Sequence, residues 1–117
     1  MKKPIALAKS ATKKFVQTKL GYKLIAEDFA TDKASVDFIF EDEQTNKLIF
    51  VDVLLKNKEK ETTLADVRSY VIKRKMFIPL VWYTEKHKIT DMEARIDVCE
   101  IDLTADKAKV KYFKGLV

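Results

Sequence analysis

The sequence has one cysteine, two glycines, two prolines and no acidic residue before Glu27. Each scarcity excludes something. The lone thiol, Cys99, forms no intramolecular disulfide and brings no second sulfur to a metal, which fits a reducing cytosol. With only Gly21 and Gly115, no glycine-rich loop can cradle a phosphate. The run Ile5-Ala6-Leu7-Ala8 is too short for a signal segment, and no apolar stretch reaches the length of a membrane span. The expectation is therefore a cytoplasmic protein with no membrane partner. The only histidine, His87, lies among charged residues with no nucleophile beside it, so it reads as a surface side chain rather than a general base.

What is present is ordinary in amount and uneven in placement. At 117 residues the chain is read as one domain over 1–117, with 47% apolar and 35% charged residues as in a soluble globular protein. The net charge of +5 is polarised: seven lysines (2, 3, 9, 13, 14, 19 and 23) precede the first acid. Further basic groups are Arg68 with Lys73, Arg74 and Lys75, and then Lys107, Lys109, Lys111 and Lys114, whereas acids gather between Glu41 and Glu61. A basic surface beside an acidic edge suits a polyanion partner.

Pro4 fits the first turn of a helix. From there Ile5, Ala8, Phe15, Val16 and Leu20 recur at helical spacing, with Lys9, Ser10, Lys13, Lys14 and Gln17 on the other side. Gly21 is placed to cap that helix in the left-handed region. A strand from Tyr22 to Phe29 follows, then two more at Ala34–Phe40 and Lys47–Lys56, joined by a polar hairpin. Residues 57–61 read as a charged linker. Thr63 with Asp66 three positions on marks a helix start, and Leu64, Val67, Val71 and Ile78 share one face of that helix. Pro79 should end or kink it. Leu80–Thr84 reads either as strand or as a short helical continuation. Residues 95–103 alternate and then change phase, which suggests a bulge, and 107–113 close a final hairpin. The order α-β-β-β-α-β-β specifies an α/β (α+β) domain with a mixed central sheet flanked by helices.

The second and third strands each carry one acid in an apolar run, Asp37 and Asp52. A carboxylate there costs several kcal/mol, in order of magnitude, unless it is paired, hydrogen-bonded or bound to a cation. Strand pairing would bring the two together, and they repel unless Mg²⁺ or Mn²⁺ lies between them. Such an ion lowers the pKa of a bound water and clamps a scissile phosphate.

Four segments in order, Gly21-Tyr22-Lys23-Leu24-Ile25-Ala26, Val36-Asp37-Phe38-Ile39, Leu48-Ile49-Phe50-Val51-Asp52-Val53 and Arg95-Ile96-Asp97-Val98, resemble the YraN family of predicted endonucleases. That family belongs to the restriction-endonuclease-like superfamily, whose PD-(D/E)xK site is shared with archaeal Holliday-junction resolvases. The resemblance implies nucleic-acid contact and Mg²⁺-dependent phosphodiester hydrolysis. It makes Asp37 the first metal-binding aspartate and places Asp52 at the glutamate of the family's E-V-K motif. Leu54 stands where the lysine belongs, Ser35 replaces an acid, and the first helix lacks the family's metal-facing glutamate. Lys56 lies on the same strand face as Leu54, roughly 7 Å further along, where it would act as a migrated lysine.

The preferred expectation is a catalytically weakened or inactive relative that binds nucleic acid, DNA before RNA, through Lys9, Lys13, Lys14, Lys73, Arg74 and Lys75. The alternative is a working Mg²⁺-dependent (or Mn²⁺-dependent) endonuclease using Asp37, Asp52 and Lys56. A further alternative is a non-catalytic protein-interaction module, and a homodimer is possible in each case. Trp82 and Tyr83 are weighed as base-stacking rings against plain packing, Asp97 as a motif residue against a partner for Arg95, and Cys99 as a buried apolar side chain.

Overall fold

Helix α1 (Pro4–Phe15) opens on Pro4, whose missing N–H costs nothing in a first turn. It runs on through a π-helical turn, Val16–Leu20, and stops at Gly21, whose φ of 70° is open to glycine without penalty. The computed structural model describes residues 3–56, 59–104 and 107–116; Lys2 of the N-terminal lysine group and positions 57 and 58 of the expected linker lie outside them. The ridge that α1 buries is Ala8, Thr12 and Val16, one residue per turn. Ile5, expected on that ridge, is exposed. Small side chains at positions 8 and 12 let the helix lie close to the sheet.

Five strands follow: β1 (Lys23–Ala30), β2 (Ser35–Asp42), β3 (Lys47–Leu55), β4 (Glu93–Asp102) and β5 (Lys109–Phe113). They form one mixed sheet in the order β1-β2-β3-β4-β5, with β3 and β4 parallel and the other pairs antiparallel. A parallel pair needs a crossover, and two helices supply it: α2 (Leu64–Arg74) and α3 (Phe77–Lys86). The protein is thus α+β, a mixed sheet with helices on both sides, as its sequence pattern specifies, with one helix more than the expected order.

The sheet separates two apolar clusters. Ala8 of α1 and Val16 of the π-helical turn pack with Phe38, Phe40, Ile49, Val51, Val53, Cys99 and Ile101. Val67 and Val71 of α2 and Met76 pack with Ile39, Leu48, Phe50, Ile96 and Val98. Covered on both sides, β3 is buried without interruption from Leu48 to Val53 and β4 from Ile96 to Glu100 and on to Ile101. That continuity corrects the bulge expected near position 98. The register of β4 against β3 is unbroken from Glu93 to Ile101, and the apparent phase change reflects two buried faces. The irregularity lies instead in β1, where the register shifts between Leu24 and Ala26.

The ambiguity at Leu80–Thr84 resolves as helix. Lys75 takes a left-handed conformation (φ 53°) that ends α2, and Pro79 is the third residue of α3, where its lack of an N–H is again harmless. Pro79 therefore helps start a helix rather than ending one, and Ile78 belongs to α3. Tyr83 packs edge-on against Phe29 and Phe50, while Trp82 is 55% exposed. Among the described residues no helix is long and apolar enough to cross a membrane.

Candidate functional site

The pairing of β2 with β3 stops at Phe38 and Val51. Beyond that point β2 stays with β1 and β3 stays with β4, so the sheet forks. A fork strands backbone N–H groups that a ladder would have satisfied, and buried ones need partners. Asp37 and Asp52, the first residues past the fork, supply them reciprocally. The N–H of Asp37 donates to Asp52 Oδ1 at 2.9 Å, and the N–H of Val53 donates to Asp37 Oδ2 at 2.8 Å. The sequence expectation that the two acids meet is correct.

Each remaining oxygen faces a cation of the chain itself. Arg74 Nε, from the last turn of α2, donates to Asp52 Oδ2 at 2.8 Å. Its Nη2 lies 3.4 Å from both the carbonyl and the hydroxyl of Ser35. Lys9 Nζ, from α1, lies 3.4 Å from Asp37 Oδ1 and 3.0 Å from Asp28 Oδ1. Since α1 and α2 belong to opposite clusters, the two cations converge on the fork from both sides of the sheet. The backbone bends to permit this: Asp28, beside Asp37 on β1, has a φ of 51°. Val36 and Phe38, two apart on β2, fall in opposite clusters, so strand alternation breaks there too.

Asp52 is fully buried, and desolvation holds its carboxyl above the usual range, opposed by the Arg74 hydrogen bond and aided by the charge of Asp37. Arg74 is shifted upward by its bond to Asp52, and Lys9 upward by its bond to Asp28. Tyr70 on α2, donating to the carbonyl of Val53 at 3.2 Å, is pushed up to about 12 by burial and by the Asp52 charge.

A divalent cation needs free, deprotonated oxygens and no competing positive charge. Here all four carboxylate oxygens of the pair already face donors, two of them cationic. Among the described residues no group of three or more histidine, cysteine or carboxylate side chains is arranged to hold a metal. The donor set does not fit Mg²⁺ or Mn²⁺ as it stands.

The other predicted residues distribute as follows. Leu54 is half-buried at the edge of the α2 cluster, in register with Glu100 on β4. Lys56 uses its N–H to bond the carbonyl of Ile101 at 2.9 Å. With Leu54, Tyr70, Lys73 and the buried Glu100 it borders a groove of about 590 Å³. Its ammonium is not among the cations within ion-pair distance of Asp37 or Asp52. Lys13 is engaged by Glu27 at 3.2 Å, whereas Lys14 is exposed. Thus Lys9, Lys13 and Arg74, expected as phosphate contacts, face acids of the chain.

Lys73 and Lys75 behave otherwise. With Arg74 and Lys33 they line an open groove of about 530 Å³ between the end of α2 and the β1–β2 turn, whose other walls are Ala30, Thr31, Ala34 and Ser35. No acid lines it. The turn is held by Thr31, whose hydroxyl oxygen accepts the N–H groups of Lys33 and Ala34 at 3.1 Å. Lys33 carries no local sequence signal, because only the tertiary fold brings it beside α2. The Lys9 contact carries no local signal either: Lys9 was expected to meet a polyanion, and only the packing of α1 on the sheet brings it to Asp28 and Asp37.

Asp97, the acid of the fourth segment, is fully buried and structural. Arg95 grips it with two hydrogen bonds (2.9 and 2.8 Å), the Tyr112 hydroxyl donates at 2.6 Å and the Gly115 N–H at 2.8 Å. Arg95 also donates to the Tyr22 hydroxyl at 3.1 Å. The network joins the residue before β1, β4, β5 and the residues after it. Burial pushes the Cys99 thiol up to about 11, as suits an unreactive core side chain. No family model and no curated protein matches the chain.

Proposed function

We propose that this protein binds nucleic acid through the groove at the end of α2 and does not cleave it, as an inactive relative of the restriction-endonuclease-like domains. One observation carries the binding: among the described residues, Lys33, Lys73 and Lys75 line one groove with no acid in its walls, and none of the three forms an ion pair. Phosphate contacts need cations at loose spacing and little else, so such a surface suits a polyanion backbone. The absence of cleavage follows from the chemistry left at the fork. Leucine at position 54 stabilises no phosphate charge, and Arg74 and Lys9 hold the carboxylates that would otherwise take a metal.

The test is a binding titration of labelled single-stranded and duplex DNA, and of RNA, against the full chain. It is followed by incubation of the same substrates with Mg²⁺ and with Mn²⁺. Binding that weakens steeply with salt, without products, is expected. Cleavage that disappears in both Asp37→Ala and Lys56→Ala would establish the endonuclease reading instead. Failure to bind any nucleic acid at low salt would leave the protein-interaction reading.

A further inference from the structure

At the fork, two carboxylates meet two cations, the same charge that a single divalent ion would bring. The contacts are complementary atom by atom. Asp52 Oδ2 takes the guanidinium, Asp37 Oδ1 faces the ammonium, and the two inner oxygens take backbone N–H groups. Lys9 and Arg74 also come from the two helical layers that the sheet separates, so the cluster ties α1 and α2 to the same end of the sheet. A hydrated metal ion would make no such link between layers.

We infer that Lys9 and Arg74 are resident counter-cations standing in the place of a divalent metal, and that removing both positive charges would open a latent site for Mn²⁺ or Mg²⁺ between Asp37 and Asp52. The physical reason is electrostatic. With both cations present the pair is neutralised and has no use for further positive charge. Without them, two carboxylates a few ångströms apart at a buried site repel, and the repulsion is relieved either by a proton on one of them or, at a pH where both are ionised, by a hard divalent cation. Glutamine is suited to both positions because it keeps length and polarity while removing charge. The inference stands apart from the nucleic-acid reading, since neither outcome below requires a polyanion.

The experiment compares wild type with the double variant Lys9→Gln/Arg74→Gln, and with the triple variant that adds Asp52→Asn. Mn²⁺ binding is followed by calorimetric titration, and thermal melting in EDTA and in millimolar Mn²⁺ at matched ionic strength. Wild type should melt at the same temperature in both solutions and show no stoichiometric Mn²⁺ uptake. The double variant should melt lower in EDTA, bind one Mn²⁺ and gain melting temperature with Mn²⁺ concentration as mass action requires. The triple variant should lose that gain. A wild-type protein that binds Mn²⁺ at a site abolished by Asp37→Asn overturns the inference, and so does a folded double variant that ignores Mn²⁺. Should the double variant fold only when Mn²⁺ is added, the inference is upheld. Should it fold in neither solution, the single variant Arg74→Gln decides in its place, with a Mn²⁺-dependent melting gain that Asp52→Asn removes upholding the inference and indifference to Mn²⁺ overturning it.

Discussion

Asp52 and Asp97 are both fully buried aspartates on adjacent parallel strands, yet their surroundings differ in a way that sets their roles. Around Asp97, four donors from one arginine, one tyrosine and one backbone N–H saturate the carboxylate, and Arg95 is itself largely enclosed. Its partners line neither of the two grooves described above. Around Asp52 the donors are one backbone N–H and one guanidinium, and Arg74, 36% exposed, also lines the basic groove. Removing one member of a buried pair leaves the other charge uncompensated, at a cost of about 3–5 kcal/mol. Asp97→Ala should therefore lose stability of that order in urea unfolding, because Arg95 has only the Tyr22 hydroxyl left. Asp37→Asn, whose side chain keeps an oxygen for the Val53 N–H, should lose clearly less. Equal losses would mean that the two acids are built into the fold in the same way.

Helix α2 joins the two grooves, and its ends are specified by different kinds of information. Its start was legible. Thr63 and Asp66 form a reciprocal capping box, with Asp66 N–H donating to the Thr63 hydroxyl at 3.2 Å and Thr63 N–H to the Asp66 carboxylate at 2.9 Å. Its end was not, because the break falls at a lysine. Lys75 adopts φ 53°, which no propensity scale assigns to lysine, and Met76 then turns into the core. The pattern Leu64, Val67, Val71, Ile78 runs across this break, since Ile78 continues the apolar spacing from a separate helix. Asp37 and Asp52 were readable as a pair because strand periodicity and apolar context are local properties. Their partners Lys9 and Arg74 lie 28 and 22 positions away along the chain and meet them only through the layer packing. Lysine in the left-handed region is strained relative to glycine, so Lys75→Gly should raise stability by about 0.5–1 kcal/mol. The same change removes a groove cation and should weaken nucleic-acid binding. Denaturant melts and binding titrations on this one variant should thus move in opposite directions, a split that a purely structural role for Lys75 does not produce.

Across the whole molecule, some of the cationic side chains are paired with acids of the chain and others are left for a partner. The fork also gives the protein an alkaline limit. Tyr70 sits at about 12 in the folded state against an ordinary value of 10.0, raised by burial first and by the Asp52 charge second. A phenol raised on folding contributes stability that is complete below pH 10 and lost as the pH climbs through the folded value. Melting temperatures measured from pH 9 to 12 should fall less steeply in Tyr70→Phe than in wild type. At neutral pH the decisive quantity is which lysines release counterions. On α1, Lys13 is held by Glu27 at 3.2 Å and so has already given up part of its attraction for phosphate. Lys33, Lys73 and Lys75 have no such partner among the described residues and face one open groove. Each phosphate neutralised on duplex DNA contributes about 0.9 to the slope of log K against log salt. Lys73→Ala and Lys33→Ala should each lower that slope by about 0.9, while Lys13→Ala should leave it nearly unchanged. If instead Lys13→Ala lowers the slope and the groove variants do not, the polyanion runs along α1, and the surface assigned to the end of α2 is wrong.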